Sequence, residues 1–196
     1  MTPKLFDKTV REFFRPVLQE HGFTTDRSQH CTFHRKASDQ IYHFIVPDLG
    51  SRGAWYDIKV FPSSPLIDPF FVERFPDDMG IPSDSWSYLS ERGVGMDQGQ
   101  FNCKSEENFV QRFEKTVREL LINSAIPYLN QFQTIENLIP VIRRPGFMGL
   151  ALHHVGRVAE AIPMLEQERD RLVAMGSSDR LVTANIERIN ELLHLK

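Results

Sequence analysis

Cys31-Thr32-Phe33-His34-Arg35-Lys36-Ala37-Ser38-Asp39-Gln40-Ile41-Tyr42-His43-Phe44-Ile45-Val46 is the stretch on which the fold turns. Residue character along it changes with every position: Cys31, Phe33 and Arg35 alternate with Thr32, His34 and Lys36, and Tyr42, Phe44 and Val46 alternate with Ile41, His43 and Ile45. A period of two belongs to strands that bury one face. Ser38-Asp39 has the chemistry of a turn between them. Read as a two-residue hairpin turn, it sets Phe33 opposite Phe44, Cys31 opposite Val46 and His34 opposite His43. The predicted buried face is then Cys31, Phe33, Tyr42, Phe44 and Val46. Residues 48–53 read as a loop and 55–61 as a third strand, with Tyr56, Ile58 and Val60 on one side. Three antiparallel strands with one apolar face need a cover.

The N-terminal segment supplies it. Thr2 suits an N-cap and Pro3 the first helical position, where a missing N–H costs nothing. Leu5, Phe6, Val10, Phe13, Val17 and Leu18 recur at steps of three and four, the spacing of one helical face. Pro16 predicts a kink, and Gly22 an end followed by Phe23 packing back.

Residues 63–99 differ in kind. They hold Pro65, Pro69, Pro76 and Pro82, no sustained period, and the aromatics Phe70, Phe71, Phe75, Trp86 and Tyr88. Their acids are Asp68, Glu73, Asp77, Asp78, Asp84, Glu91 and Asp97 against Arg74 and Arg92, a balance of −5 in a chain whose total is −3. A long irregular segment inside a compact domain is uncommon and often functional. Residues 100–104 read as a returning strand through Phe101 and Cys103.

Helices follow. Ser105 caps one whose first turn carries Glu106 and Glu107, well placed at the positive end of the helix dipole. Phe109, Val110, Phe113, Val117, Leu120 and Leu121 make its apolar stripe, and Pro127 predicts its kink or end. Thr134 caps a short helix reaching residue 142, Pro145-Gly146 reads as a break, and further helices are predicted over about 147–155, 158–175 and 179–195. The predicted class is α+β: an antiparallel sheet of three to five strands covered by helices. The core domain spans 1–133, including the loop 63–99, and a helical subdomain spans 134–196.

Composition narrows the function classes. At 196 residues and 41% hydrophobic, the chain can bury a core without disulfides or metals. A net charge of −3 argues against a general nucleic-acid binder. Cys31 and Cys103 lack metal or redox spacing, as expected of reduced thiols in the cytoplasm. No apolar run reaches membrane length, and the mixed charges of residues 1–14 are unlike a signal peptide. The expectation is a cytoplasmic protein with no cofactor.

Two resemblances stand out. Arg15-Pro16-Val17-Leu18, Gly22-Phe23 and Phe33-His34-Arg35 resemble the opening of a group of small, uncharacterised bacterial domains that run helix, Gly-Phe and β-meander. The resemblance implies a fold and a bacterial origin rather than a reaction. Gly149-Leu150-Ala151-Leu152, Gly156-Arg157, Ala161-Ile162 and Leu165 are similar to one tetratricopeptide repeat. The match departs at Pro145, Glu168 and Val173, and no second repeat is visible. A single hairpin forms no concave peptide groove, so it is read as a packing unit against the core.

Chemistry-bearing residues are sparse. In the hairpin register above, His30, His34, His43 and Asp57 share the face opposite the apolar one, where two imidazoles and a carboxylate could hold a metal and activate water. The competing reading is a solvated strand face. His153-His154 point about 100° apart on a helix, Glu106-Glu107 is a helix start, and Gly93-Val94-Gly95 lacks the lysine and strand-to-helix setting of a phosphate loop. The acidic, aromatic stretch is the stronger signal, because aromatics supply contact area and acids steer basic partners. The expected activity is non-catalytic protein binding, through Asp68, Phe70, Phe71, Glu73, Asp77, Asp78, Asp84, Trp86 and Tyr88. Its sharper form is an immunity protein that neutralises a toxin, such as a nuclease with a basic cleft. The alternatives are a small metal-dependent hydrolase using His34, His43 and Asp57, and a regulatory subunit binding through the helical tail.

Overall fold

The structure, a computed structural model, describes residues 1–25, 31–67 and 87–194. Helix α1 (Pro3–Gln19) is capped by Thr2, whose Oγ1 accepts from the Leu5 N–H at 3.4 Å. Pro16 lies inside the helix, which runs on past it. At the far end the Gly22 N–H donates to Gln19 O and the Phe23 N–H to Leu18 O, both at 3.0 Å. That closure needs a left-handed residue, and Gly22 sits at φ +80°. Phe23 is thereby folded back into the core.

The described residues form a seven-stranded antiparallel sheet: β1 (Thr24–Thr25), β2 (Phe33–Lys36), β3 (Tyr42–Leu49), β4 (Trp55–Ser63), β5 (Ser87–Ser90), β6 (Gly93–Gly95) and β7 (Phe101–Asn102). Strands β1 to β6 pair in chain order, and β7 pairs β4 at Trp55 and Tyr56, beyond the end of β5. The class is α+β, with more strands than the three to five expected. Strands β5 and β6 lie in the stretch read as irregular, because Ser87-Tyr88-Leu89-Ser90 and Gly93-Val94-Gly95 are too short to show a period. Likewise β3 runs to Leu49, into the segment read as loop.

The register of the central hairpin corrects the sequence reading. Phe33 pairs with Ile45, His34 with Phe44, Arg35 with His43 and Lys36 with Tyr42. The turn holds three residues, because the Ala37 N–H donates to Ile41 O at 2.9 Å. Ser38 Oγ accepts from the Gln40 and Ile41 N–H groups, each at 3.1 Å. A shift of one residue moves every side chain of β3 to the other face. The row beside Phe33 is therefore Ile41, His43 and Ile45, while Phe44 and Val46 are buried on the opposite face with Phe61. Phe44 and Phe61 stack there, 5.1 Å between centroids.

A long composite helix, α2, covers the first face with α1. It runs Glu106–Arg112, Phe113–Val117, Arg118–Leu120, Leu121–Ala125 and Ile126–Leu129, the second and fourth segments being wider π turns. The second π turn directly precedes Pro127, whose ring and missing N–H do not fit a regular α turn. The helix thus passes through Pro127 rather than ending there. Phe6, Phe14, Tyr56, Phe101, Phe109 and Phe113 pack between helices and sheet, Tyr56 lying 5.1 Å from Phe109 and Phe14 5.0 Å from Phe113.

Helix α3 (Ile135–Leu138) is capped by Thr134, which accepts from the Asn137 N–H at 3.3 Å, and a 3-10 turn (Ile139–Val141) extends it. Helices α4 (Pro145–His154), α5 (Val158–Ala174) and α6 (Arg180–His194) follow. Pro145 opens α4 at its first turn, so Pro145-Gly146 starts a helix where the sequence suggested only a break. The hairpin of α4 and α5 is close-packed: a Cβ at Gly149 would lie 2.8 Å from Leu165 Cδ2 and 3.1 Å from its backbone N. Leu152 and Leu165 are both buried in the same apolar cluster. Glu168, where that pattern wants a small residue, is buried over Gly146 with Arg171 donating to both its oxygens at 2.8 Å. These helices share a second core with Ile41 and Ile67 from the sheet region, and Tyr128 packs against both cores.

Candidate functional site

The sheet carries His34, His43 and Asp57, and the register decides what they can do together. His43 shares the buried face with Ile41 and Ile45 and is fully inaccessible, 0% exposed. Its Nε2 lies 2.7 Å from Phe132 O, and its Nδ1 receives Arg35 Nε at 3.2 Å. That pattern assigns a neutral ring with the proton on Nε2. Desolvation, the main cause, and the neighbouring guanidinium pull its pKa down to about 4, against the opposing hydrogen bond to Phe132 O. Arg35 also donates to His21 O at 2.8 Å and to Asn130 Oδ1, and lies over the Phe23 ring at 4.6 Å. Three other segments of chain, residues 21–23, β3 and the end of α2, meet at this one guanidinium.

His34 is on the other face, its ring 6.3 Å from Phe44 and its Nε2 3.0 Å from Thr24 Oγ1. Asp57 is on that face too, cross-strand from Asp48 and 4% exposed. Gln98 Nε2 donates to its Oδ2 at 2.5 Å, while Oδ1 is buried with no hydrogen-bond partner among the described residues. Burial raises the Asp57 pKa, partly offset by Gln98 and Lys59. Lys59 itself donates to Asp48 Oδ2 at 2.6 Å. His34, His43 and Asp57 therefore do not converge, because the one-residue register shift places His43 on the opposite face from the other two. Among the described residues no group of three or more His, Cys, Asp or Glu side chains could hold a metal. His30 lies outside the described residues.

Of the residues expected to bind a partner, Asp68, Phe70, Phe71, Glu73, Asp77, Asp78, Asp84 and Trp86 lie outside the described residues. Tyr88 is half-buried on β5, cross-strand from Lys59. What the structure does describe is the chain on either side of 68–86. Ile67 is buried in the second core, and Arg188 of α6 donates to Leu66 O at 2.9 Å. On the return, Ser87 pairs with Val60 of the central strand β4, and its hydroxyl lies 3.1 Å from Tyr128 Oη. Both flanks are thus tied into the fold, one at the second core and one at β4. Sequence reasoning did not find Gln98, Arg35 or Asn130 as partners of the site. A polar residue in a strand or loop shows no sign of which distant carboxylate or imidazole it will meet.

Comparison with family models, curated proteins and solved structures finds no match to this chain. No helix among the described residues is long and apolar enough to cross a membrane.

Proposed function

We propose that this protein acts by binding another protein, without chemistry of its own, through the acidic and aromatic segment 68–86. The observation that carries the proposal is charge placed between fixed ends. Residues 63–99 hold seven acids and two basic residues, −5 in a chain of −3, so the rest of the chain is slightly basic. The flanks of 68–86 are tied down by Ile67, by Arg188 on Leu66 O and by Ser87 on β4. A segment with restrained ends loses less conformational freedom on binding than a free tail, and aromatics among acids suit a basic partner surface.

The sharper form is a bacterial immunity protein whose acids Asp68, Glu73, Asp77, Asp78 and Asp84 meet the basic cleft of a toxin, with Phe70, Phe71, Trp86 and Tyr88 as contact area. The test is capture of a partner from bacterial lysate on the tagged protein, followed by a binding titration against the captured domain. The wild type binds with nanomolar affinity, and Asp77→Lys with Asp78→Lys weakens binding by at least tenfold, about 1.4 kcal/mol. Unchanged affinity in the double variant takes the segment out of the interface.

A further inference from the structure

We infer that the exposed edge of α1, with the cleft at its N-terminal end, is a second docking surface, and that its occupant is an acidic peptide segment of a partner protein. Lys4, Lys8, Arg11 and Arg15 stand at steps of four, three and four along α1, so they fall on one stripe about 60° wide. That stripe lies away from the buried residues Phe6, Val10, Phe14 and Val17. Lys4 and Lys8 are exposed, and Arg11 and Arg15 half-buried. Among the described residues no ion pair involves Lys4, Lys8 or Arg15, while the Arg11 side chain hydrogen-bonds Cys31. Arg15 Nε is buried without a hydrogen-bond partner among them. The stripe is about 16 Å long, the eleven helical rises from Lys4 to Arg15.

At the Lys4 end of the stripe an open cleft of about 760 Å³ lies between α1 and the β3–β4 turn. Its walls include Pro3, Phe6, Pro47 and Leu49, with Lys4 and Arg52 among its charged groups. A volume of this size holds one or two apolar side chains, and the mixed wall gives them a polar rim. The cleft supplies an anchor and the stripe supplies direction.

The composition of the site selects a peptide over a polyphosphate. Asp7 and Asp48 share the cleft walls, so a uniformly charged polyanion meets repulsion at the anchor, where a peptide can place an apolar side chain. An extended peptide presents same-side residues about every 7 Å, within reach of flexible cations spaced about 5–6 Å along a helix. Acids in alternation with apolar residues satisfy both the stripe and the cleft. The stripe and the cleft share no residue with the segment 68–86, so each reading is tested by its own variants.

The probe is a fluorescein-labelled pool of extended peptides, about twelve residues long, with glutamate at alternate positions and apolar residues between. Fluorescence polarisation with the full chain at low salt reads the binding. Lys4→Glu with Lys8→Glu weakens it at least tenfold, Lys4→Gln with Lys8→Gln weakens it less, and Asp77→Lys with Asp78→Lys does not weaken it. Melting temperatures of the charge variants stay at the wild-type value, because both lysines are exposed. The inference is overturned if the pool does not bind, if a glutamine-substituted pool binds as well, or if the variants bind like wild type. Tighter binding of a single-stranded oligonucleotide through the same lysines also overturns it, in favour of a polyphosphate ligand.

Discussion

His43 and Arg35 form a buried cross-strand pair in which the guanidinium donates, Nε to Nδ1 at 3.2 Å, and the imidazole stays neutral. The other ring nitrogen, Nε2, donates to Phe132 O at 2.7 Å, on the chain just past α2. This pair joins the sheet to the start of the C-terminal helices. A protonated His43 would direct a second N–H at Arg35, so the arrangement accepts only the neutral ring.

Stability therefore depends on pH in a stated direction. The folded pKa of His43, about 4, lies below its ordinary value of 6.5, so the unfolded chain binds the proton more readily. The contribution is fully present above pH 6.5 and is lost as pH falls from there to about 4. Its size is on the order of 3 kcal/mol. Urea unfolding followed over this range checks it: wild type loses stability towards acid, and His43→Gln shows a flatter dependence. Equal slopes for the two proteins would mean that His43 is not the group responsible.

Asp57 has the opposite sign. Its carboxyl is pushed above the ordinary carboxylate range chiefly by burial, so the ionised form costs stability at neutral pH, and the cost disappears as pH falls below the ordinary carboxylate pKa. Asp57→Asn removes the charge while keeping an acceptor for Gln98 Nε2. The expected result is a gain of about 1 kcal/mol at pH 7, within the range set by unsatisfied buried groups. A loss of stability, read from the unfolding midpoint, would show that the carboxylate is needed ionised.

Ser38 holds the three-residue turn. Its hydroxyl accepts from the Gln40 and Ile41 N–H groups and donates to Gln133 O at 2.7 Å. Ser38→Ala removes all three interactions and costs about 1–2 kcal/mol. Ser38→Thr retains most of that stability, which thermal melts of the two variants side by side resolve.

Gly149 sets the distance between α4 and α5. Gly149→Val places new atoms where a Cβ alone already comes within 2.8 Å of Leu165 Cδ2 and 3.1 Å of Leu165 N. Overpacking of this kind costs about 1–3 kcal/mol. The paired variant Gly149→Val with Leu165→Ala recovers little of the loss, because the backbone contact remains. Full recovery would show that the side chain alone set the spacing.

The parts of the fold legible in the sequence are those that local chemistry decides. Thr2, Ser105 and Thr134 cap helices because a short hydroxyl beside orphan N–H groups has one good use, and Gly22 ends α1 because it alone enters φ +80° without strain. The periods of α1, β2, β3 and β4 likewise announce helix and strand. Strands β5 and β6 were illegible because three or four residues rich in Ser and Gly show no period, and pairing with β4 makes them strands.

The candidate site was legible only as composition. Acids and aromatics in 68–86 can be counted from the sequence, whereas the fate of His34, His43 and Asp57 depended on register. Both rows of β3 are apolar, Ile41 and Ile45 on one side and Tyr42, Phe44 and Val46 on the other, so periodicity marks a strand without choosing its inward face. The choice is made by Ser38 bonding Gln133, 95 positions away, and by His43 bonding Phe132, 89 positions away. The amino-acid sequence alone determined that a helix, a hairpin and capped helices would form, because those depend on neighbours within a turn or two. Only the tertiary structure decided which face of the hairpin lies against α1 and α2, because both faces are apolar enough to be buried and distant contacts settle so close a balance.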